Sequence, residues 1–153
     1  MRISAKADYA VRAAVYLGAE GSTEPLKAES IAVSQEIPLK FLLNILTDLK
    51  RARIVSSRRG SQGGFQLARP ASKVTVADVI RAVEGPLASV HEILPEDVHY
   101  PPPSESLRLV WIAVRASLRS VLETVTIADL ASGKLPASVV KLSSNPEALT
   151  VRR

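Results

Sequence analysis

The chain has 153 residues, of which 46% are hydrophobic and 23% are charged, and it contains no cysteine. This length fits one globular domain with an appendage and excludes two full domains. Without cysteine, disulfides, cysteine-based zinc or iron–sulfur sites and thiol nucleophiles are excluded. Residues 1–8 carry charges where a signal peptide needs an apolar stretch, and the longest apolar run, 109–114, is too short to cross a bilayer. These features predict a soluble, cytoplasmic protein without a membrane partner.

The positive charge is concentrated in the first half of the sequence. Residues 1–85 contain 13 basic and 8 acidic side chains, which accounts for the whole net charge of +5, whereas residues 86–153 contain 7 of each. Positions 50–59 hold five basic residues and no acid. A clustered positive patch on a folded domain is typical of a phosphate-binding surface. A solvated basic face without a partner is the alternative interpretation.

Three helices are predicted before residue 52. Ser4 is a candidate N-cap for the first helix, whose apolar positions 10, 13, 14 and 17 follow helical spacing. Turn-forming residues in 18–25 end this helix, and a second, short helix is expected over 26–33. Pro38 suits the first turn of a third helix that runs to about Arg51, with one apolar stripe at positions 42, 45, 46 and 49.

A glycine-rich hairpin is predicted after the third helix. Two short strands are expected at 53–57 and 65–68, and the three glycines within 60–64 permit a tight reversal between them. Thr75 is expected to cap a fourth helix, which ends at Gly85. We therefore expect a mainly α fold with a small two-stranded sheet, which is an α+β arrangement.

One long helix is predicted in the second half. Prolines keep residues 86–103 in a loop, and apolar residues then repeat with heptad spacing over 104–125. This repeat predicts a dimerisation seam formed by Leu107, Trp111, Val114, Leu118, Val121 and Val125, with packing of the same residues against their own domain as the alternative. Thr126 is expected to cap a short last helix, and residues 132–153 are expected to form a flexible tail. The predicted units are therefore 1–85, the loop 86–103, the helical segment 104–131 and the tail 132–153.

The order of these elements predicts a winged helix-turn-helix. In that DNA-binding fold the third, recognition helix enters the major groove, and the hairpin is the wing. The exposed face of the third helix offers four polar side chains, Lys40, Asn44, Thr47 and Arg51. Asparagine can pair bidentately with adenine, and the arginines at the hairpin tip, Arg58 and Arg59, suit a narrow A·T-rich minor groove.

Over residues 1–131 the chain resembles the BadM/Rrf-type family of bacterial transcription regulators. The resemblance is carried by Ile37-Pro38-Leu39-Lys40-Phe41-Leu42, by the hairpin Arg59-Gly60-Ser61-Gln62-Gly63-Gly64-Phe65 and by Asp78-Val79-Ile80 with Glu84-Gly85. It implies a sequence-specific regulator, with repression as the expected mode. It also implies a homodimer that is held by the long C-terminal helix and binds a pseudo-palindromic operator in double-stranded DNA.

The pattern and the resemblance together nominate eleven DNA-binding residues. They are Lys40, Leu43, Asn44, Thr47, Lys50, Arg51, Arg58, Arg59, Gly60, Gln62 and Gly63. The chain departs from the family at 43–44, where many members have Glu-Gln, so the operator sequence is not predicted. It also lacks the three cysteines that cluster-binding members carry before the long helix, so no iron–sulfur cluster is expected.

Other functions are weaker interpretations of the sequence. Asp8, His91 and His99 are weak candidates for metal ligands, but nothing fixes their geometry, and a polar loop is the default interpretation. We expect no cofactor and no enzymatic activity. Two alternatives stay open beside a DNA-binding regulator. One is a winged-helix module that binds an acidic protein, and the other is a sensor that takes a metal or small ligand in the loop 87–103, with an effector that the sequence does not identify.

Overall fold

The structure is a computed structural model, and it describes residues 1–20 and 23–151. The described elements, in chain order, are α1 (Ala5–Glu20), α2 (Ala28–Gln35), α3 (Leu39–Arg51), β1 (Val55–Arg58), β2 (Gly64–Leu67), α4 (Val76–Glu84), α5 (Leu107–Leu122), α6 (Ile127–Ser132) and α7 (Ala137–Ser143). Short 3₁₀ turns lie at Ala71–Lys73, Pro95–Asp97 and Pro146–Leu149. The predicted mainly α fold with one two-stranded sheet is confirmed.

Helix α1 is the centre of the core. It packs against α2, α3, α4 and α6, and its buried residues are Ala7, Ala10, Ala13, Ala14 and Leu17. Four alanines on one helix face allow the neighbouring helices to approach closely, which suits a core that is built from aliphatic side chains. The predicted N-cap is confirmed, because the Ser4 hydroxyl accepts a hydrogen bond from the Ala7 amide at 3.0 Å.

A sharp turn separates α2 from α3. Helix α2 runs two residues later than predicted and ends at Gln35, and its C-cap residue Glu36 has a left-handed φ of 52°. The Ile37 amide then donates to the Ala32 carbonyl at 2.9 Å, and the Ile37 side chain is buried. This closure is an α-helical C-cap stabilised by an apolar contact. Because Pro38 follows directly, α3 starts in a new direction, which is the geometry of a helix-turn-helix.

The hairpin is an antiparallel pair in which Val55 faces Leu67 and Arg58 faces Gly64. Its second strand also forms a bridge with the segment before α2: Leu26 and Phe65 exchange two backbone hydrogen bonds, at 2.8 and 2.7 Å. A Cβ atom at position 64 would lie 2.5 Å from the Leu26 carbonyl oxygen, so only glycine fits at this crossing. The wing is therefore fixed at its base to the helical core.

The long helix differs most from its prediction. Helix α5 spans 16 residues, Leu107–Leu122, rather than 104–125. It ends early because residues 125–127 are extended alongside 74–76, with backbone hydrogen bonds from Val76 to Val125 and from Ile127 to Val74. Val125, the last residue of the predicted dimer seam, lies beyond this helix and is 5% exposed within its own chain, so it has little surface left for a partner. The heptad spacing of apolar residues continues beyond Leu122, but the helix stops there because the following backbone is extended and pairs with residues 74–76.

The C-terminal segment contains more regular structure than predicted. Within 132–153, which was expected to be a flexible tail, residues Ala137–Ser143 form α7 and Pro146–Leu149 form a 3₁₀ turn. A helix of seven residues is too short to show an apolar period in the sequence. No residue of α7 is buried.

Among the described residues, no helix combines the length and apolar character that a bilayer crossing requires.

Candidate nucleic-acid interface

Helix α3 has one buried face and one exposed face. Leu42, Ile45, Leu46 and Leu49 are fully buried against the core. The opposite face exposes Lys40, Asn44 and Thr47, as predicted from their spacing, and also Leu43, which only the family resemblance had nominated. The Thr47 hydroxyl donates to the Leu43 carbonyl at 2.9 Å, which fixes its rotamer and leaves its oxygen able to accept a bond. This face therefore presents an ammonium, an amide, a hydroxyl and an aliphatic group to solvent.

The C-terminal end of α3 is positively charged but partly neutralised. Arg51 pairs with Asp48 at 3.2 Å, and Lys6 of α1 pairs with the same carboxylate at 2.7 Å. Lys50 is exposed and lines a surface groove together with Arg53 and Arg69. The last two residues were not among the predicted contacts, although Arg53 lies in the basic run 50–59. Arg53 and Arg69 share this groove because the two strands of the hairpin pair, and the sequence alone does not give the register of that pairing.

The wing tip exposes most of its predicted contacts. Arg58, Arg59, Gly60 and Gln62 are exposed, whereas Gly63 is buried. A Cβ atom at position 63 would collide with the Arg58 carbonyl, and the Gly63 amide donates to the Gly60 carbonyl at 3.0 Å. Gly63 therefore shapes the turn, and its place is beneath the tip rather than on the exposed surface.

One further basic residue holds the wing tip, and sequence analysis missed it. The Lys27 ammonium, at the N-cap position of α2, donates to the Gly60 carbonyl at 3.1 Å. Lys27 and Arg58 line the same surface depression beside the wing. The hydrogen bond joins positions 33 residues apart, so no local pattern in the sequence signals it.

The start of α3 is braced by aromatic and polar contacts with α1. The Tyr9 and Phe41 rings meet edge to face, with centroids 5.8 Å apart, and the Arg12 guanidinium lies 5.4 Å from the Tyr9 centroid. Arg12 also donates to the Gln35 carbonyl at the end of α2 and pairs with Asp8 at 3.1 Å. These contacts join three helices and fix the direction in which α3 leaves the turn.

The three weak metal candidates are not brought together. Asp8 pairs with Arg12, His91 lies in the Val90–Ile93 turn with a φ of 48°, and the His99 Nδ1 atom is 3.0 Å from the Asp97 carbonyl oxygen. Residues 1–20 and 23–151 contain no group of three or more His, Cys, Asp or Glu side chains that could hold a metal ion.

The predicted dimer stripe lies on the half-buried face of α5. Leu107, Trp111, Val114, Leu118 and Val121 are each partly covered by the rest of the chain. Leu118 and Leu122 border a groove that is also lined by Ile3 and Ile80. Two other apolar residues of α5, Leu109 and Val110, are 61% and 51% exposed and do not line this groove. Helix α5 thus keeps apolar surface on two faces within a single chain.

Most of the chain is similar in sequence to known proteins. The Rrf2 family, described as iron-dependent transcriptional regulators, matches residues 3–133. Rv1287 of Mycobacterium tuberculosis strain H37Rv is 49% identical over 145 residues, which are 95% of this chain and 90% of that protein, and its name places it among the HTH-type transcriptional regulators. The HTH-type transcriptional regulator CymR of Bacillus subtilis is 31% identical over 132 residues, covering 86% of this chain and 91% of CymR.

The fold is also similar to solved structures of transcriptional regulators. The structure of CymR (YrzC), the global cysteine regulator of B. subtilis, superposes with a TM-score of 0.71 at 32% identity, covering 86% of this chain and 97% of CymR. The structure of T. potens IscR superposes with a TM-score of 0.69 at 28% identity, covering 100% of this chain and 94% of IscR.

The residues present do not fit the iron site that the family description implies. The sequence has no thiolate ligand, and the candidate nitrogen and oxygen ligands are dispersed over the described structure. Iron–sulfur clusters are held mainly by cysteine thiolates. The helix-turn-helix and wing geometry is independent of such a site. With a family match over residues 3–133 and a fold shared with CymR, the chain belongs to the Rrf2 family of DNA-binding transcriptional regulators.

Proposed function

We propose that this protein is a cytoplasmic repressor that binds a pseudo-palindromic operator as a homodimer, without an iron–sulfur cluster. The observation that carries the proposal is the hydrogen bond between Lys27 and the Gly60 carbonyl. Together with the Leu26–Phe65 backbone bridge, it holds the basic wing beside the helix-turn-helix, so that wing and recognition helix dock together. The unit 1–85 binds DNA, the loop 86–103 receives a signal, and 104–131 contains the dimerisation helix.

Helix α3 reads bases in the major groove. Its exposed polar face has the size and chemistry that this groove admits, and it is held rigidly by the buried leucine stripe. Asn44 pairs with an adenine edge, and Leu43 contacts a thymine methyl group. Lys40 and Thr47 flank them, while Lys50 and Arg51 at the end of the helix contact phosphates.

The wing reads the minor groove. Arg58 and Arg59 are exposed at its tip, and arginine is favoured by the strong negative potential of a narrow A·T-rich groove. Gly60 and Gln62 bring the tip backbone against the sugar-phosphate wall, while Gly63 maintains the turn from below.

Dimerisation uses helix α5. Its stripe from Leu107 to Val121 is only half-buried within one chain, Leu118 borders the groove beside α4, and a second copy completes the cover of this apolar surface. A two-fold dimer is the commonest soluble oligomer and mirrors a palindromic site. The two recognition helices then reach half-sites about one helical turn, ~34–36 Å, apart.

The experiment that tests this function is gel retardation with the DNA upstream of the protein's own gene. With excess unrelated competitor DNA, we expect a discrete complex that Asn44→Ala weakens about 10-fold or more, since a bidentate contact is worth ~1–3 kcal/mol. Val33→Ala, an exposed change on α2 outside the eleven nominated residues, is the matched control. A complex that competitor DNA removes fully, or that Asn44→Ala leaves unchanged, contradicts base readout. Capture of an acidic protein in its place would favour an interaction module.

A further inference from the structure

Three arginines converge on a small pocket between α4 and α5, whose lining includes no residue of α3 or of the wing. Arg81 of α4 and Arg115 and Arg119 of α5 line a cavity of about 300 Å³. The remaining lining is apolar or lacks a side chain: Gly85, Pro86, Leu87 and Leu94. The pocket therefore combines a cationic wall with an apolar floor, and the loop 86–103 forms part of its rim.

The most enclosed of these arginines already holds a carboxylate. The Arg115 side chain is 12% exposed, and its guanidinium pairs with the Glu96 carboxylate at 2.6 Å. The hydrogen bond from Arg115 lowers the pKa of Glu96, with further lowering by its backbone hydrogen bond and by the charges of Arg115 and Arg119. Glu96 itself keeps 45% of its side chain exposed, so solvent reaches its carboxylate and screens the pair, whereas the enclosed Arg115 needs an anionic partner.

The other two arginines share a second carboxylate. Arg81 pairs with Glu123, and Arg119 lies 3.7 Å from the same side chain. Asp78 is 4.0 Å from Arg81, but its carboxylate accepts the Thr75 amide as part of a helix cap. Three guanidinium groups are thus served mainly by two glutamates, one of which belongs to the loop.

We propose that this pocket binds a small organic anion, a carboxylate or phosphate ester with an apolar portion, which displaces Glu96 from Arg115. The planar fork of arginine matches a carboxylate or phosphate bidentately, and the apolar floor accommodates the rest of the molecule. Glu96 is not part of the pocket lining, and the anion takes over its contact with the Arg115 guanidinium. Only the consequence for transcription rests on the proposed function, because binding itself does not require DNA.

Displacement of Glu96 reaches the rest of the loop. Glu96 lies in the Pro95–Asp97 turn, whose backbone carbonyl at position 96 also accepts from Arg108 of α5 at 3.3 Å. Further along the loop, the Tyr100 hydroxyl accepts a hydrogen bond from the Trp111 indole at 3.0 Å. The contacts made by Arg108, Trp111 and Arg115 all hold the loop against one face of α5. Anion binding therefore loosens the loop beside the helix that we propose for dimerisation.

Trp111 provides the readout, because it is the only tryptophan in the sequence. The probes are hexanoate, inorganic phosphate and, as an uncharged control, 1-hexanol, each titrated against the DNA-free protein. We expect a saturable change in Trp111 emission with hexanoate, a weaker one with phosphate and none with 1-hexanol.

Substitutions at the two members of the Glu96–Arg115 ion pair should change the affinity for hexanoate in opposite directions. Glu96→Gln removes the competing carboxylate, so hexanoate should bind several-fold more tightly. Arg115→Gln should weaken binding about 10-fold or more, and Arg119→Gln serves where the Arg115 variant loses its helical circular dichroism. Lys50→Gln, at the DNA-binding surface, is the control for anions bound there and should change nothing.

The outcomes separate this inference from the proposed function. Weaker binding in Glu96→Gln, an equal response to 1-hexanol, or binding that the arginine variants leave intact overturns the anion site. Gel retardation of the upstream DNA with and without hexanoate is then a separate measurement. A saturable emission change without any effect on retardation supports the site and contradicts its role in regulation.

Discussion

Thr75 and Thr126 face each other in an antiparallel bridge, and each caps a helix with the same pair of hydrogen bonds. The Thr75 hydroxyl accepts from the Asp78 amide and the Asp78 carboxylate accepts from the Thr75 amide, at 3.1 and 3.0 Å. Thr126 and Asp129 repeat the arrangement at 3.1 and 2.8 Å. This paired cap joins α4 to α6 and fixes the point at which the chain returns from α5 to the DNA-binding unit.

Removal of one member of this pair should destabilise the whole domain. We expect Thr126→Ala to cost about 1 kcal/mol, the usual contribution of a helix N-cap, and to lower the free energy of unfolding measured in urea. Thr124→Ala is the matched control, since Thr124 is exposed and its hydroxyl only donates to the Ser120 carbonyl. Equal effects of the two substitutions would show that the cap contributes nothing specific.

Lys27 is expected to act by positioning the wing. Lys27→Met removes its hydrogen bond to the Gly60 carbonyl, so operator binding should weaken several-fold. In the free protein, amide exchange of Gly63 should also accelerate, because its hydrogen bond to Gly60 lies in the same turn. A lysine that served only as a phosphate contact would leave that exchange unchanged. Lys73→Met, an exposed change away from the wing, is the control.

Substitutions of Arg59 and Lys50 should affect DNA binding in different ways. Arg59→Ala should weaken operator binding and flatten the preference for A·T pairs at the wing contact, because the arginine reads groove shape. Lys50→Ala should weaken operator and unrelated DNA alike and reduce the salt dependence of binding by about one unit, as a lost phosphate contact does. Salt titrations of both variants on operator and scrambled DNA measure this, and wild-type behaviour in both would contradict the docking mode.

The assembly is expected to depend on the stripe of α5. Leu118→Asp or Trp111→Asp places an unpaired charge against apolar surface, which is costly. We expect a monomer in sedimentation velocity at micromolar concentration, together with loss of operator binding. Leu142→Asp, on exposed α7, should leave the dimer intact. A wild-type protein that sediments as a monomer would overturn the dimer proposal, as would a folded Leu118→Asp dimer.

The sequence predicted elements that depend on local chemistry. The apolar stripe of α3 and the caps at Ser4, Thr75 and Thr126 are confirmed, since each is determined by residues within one or two helical turns. The early end of α5 was missed, because it depends on backbone pairing between 125–127 and the distant segment 74–76.

In the candidate site, too, features set by local sequence were predicted and features set by distant contacts were not. The exposed positions of α3 follow from helical spacing, and the structure places them as expected. The role of Lys27 and the burial of Gly63 depend on how the hairpin folds back over the segment before α2. The arginine pocket has no sequence signature, since its members come from α4 and α5, and their partner carboxylate comes from the loop.

The central claim is that two copies of the helix-turn-helix and wing bind one operator together. Hydroxyl-radical footprinting on the upstream DNA, with the full-length protein, tests it most directly. Two protected regions related by a dyad should appear about one helical turn apart, each with a major-groove segment flanked by an A·T-rich minor-groove segment, and Leu118→Asp should abolish both together. A single protected segment, or protection that Leu118→Asp leaves in place, would contradict the account.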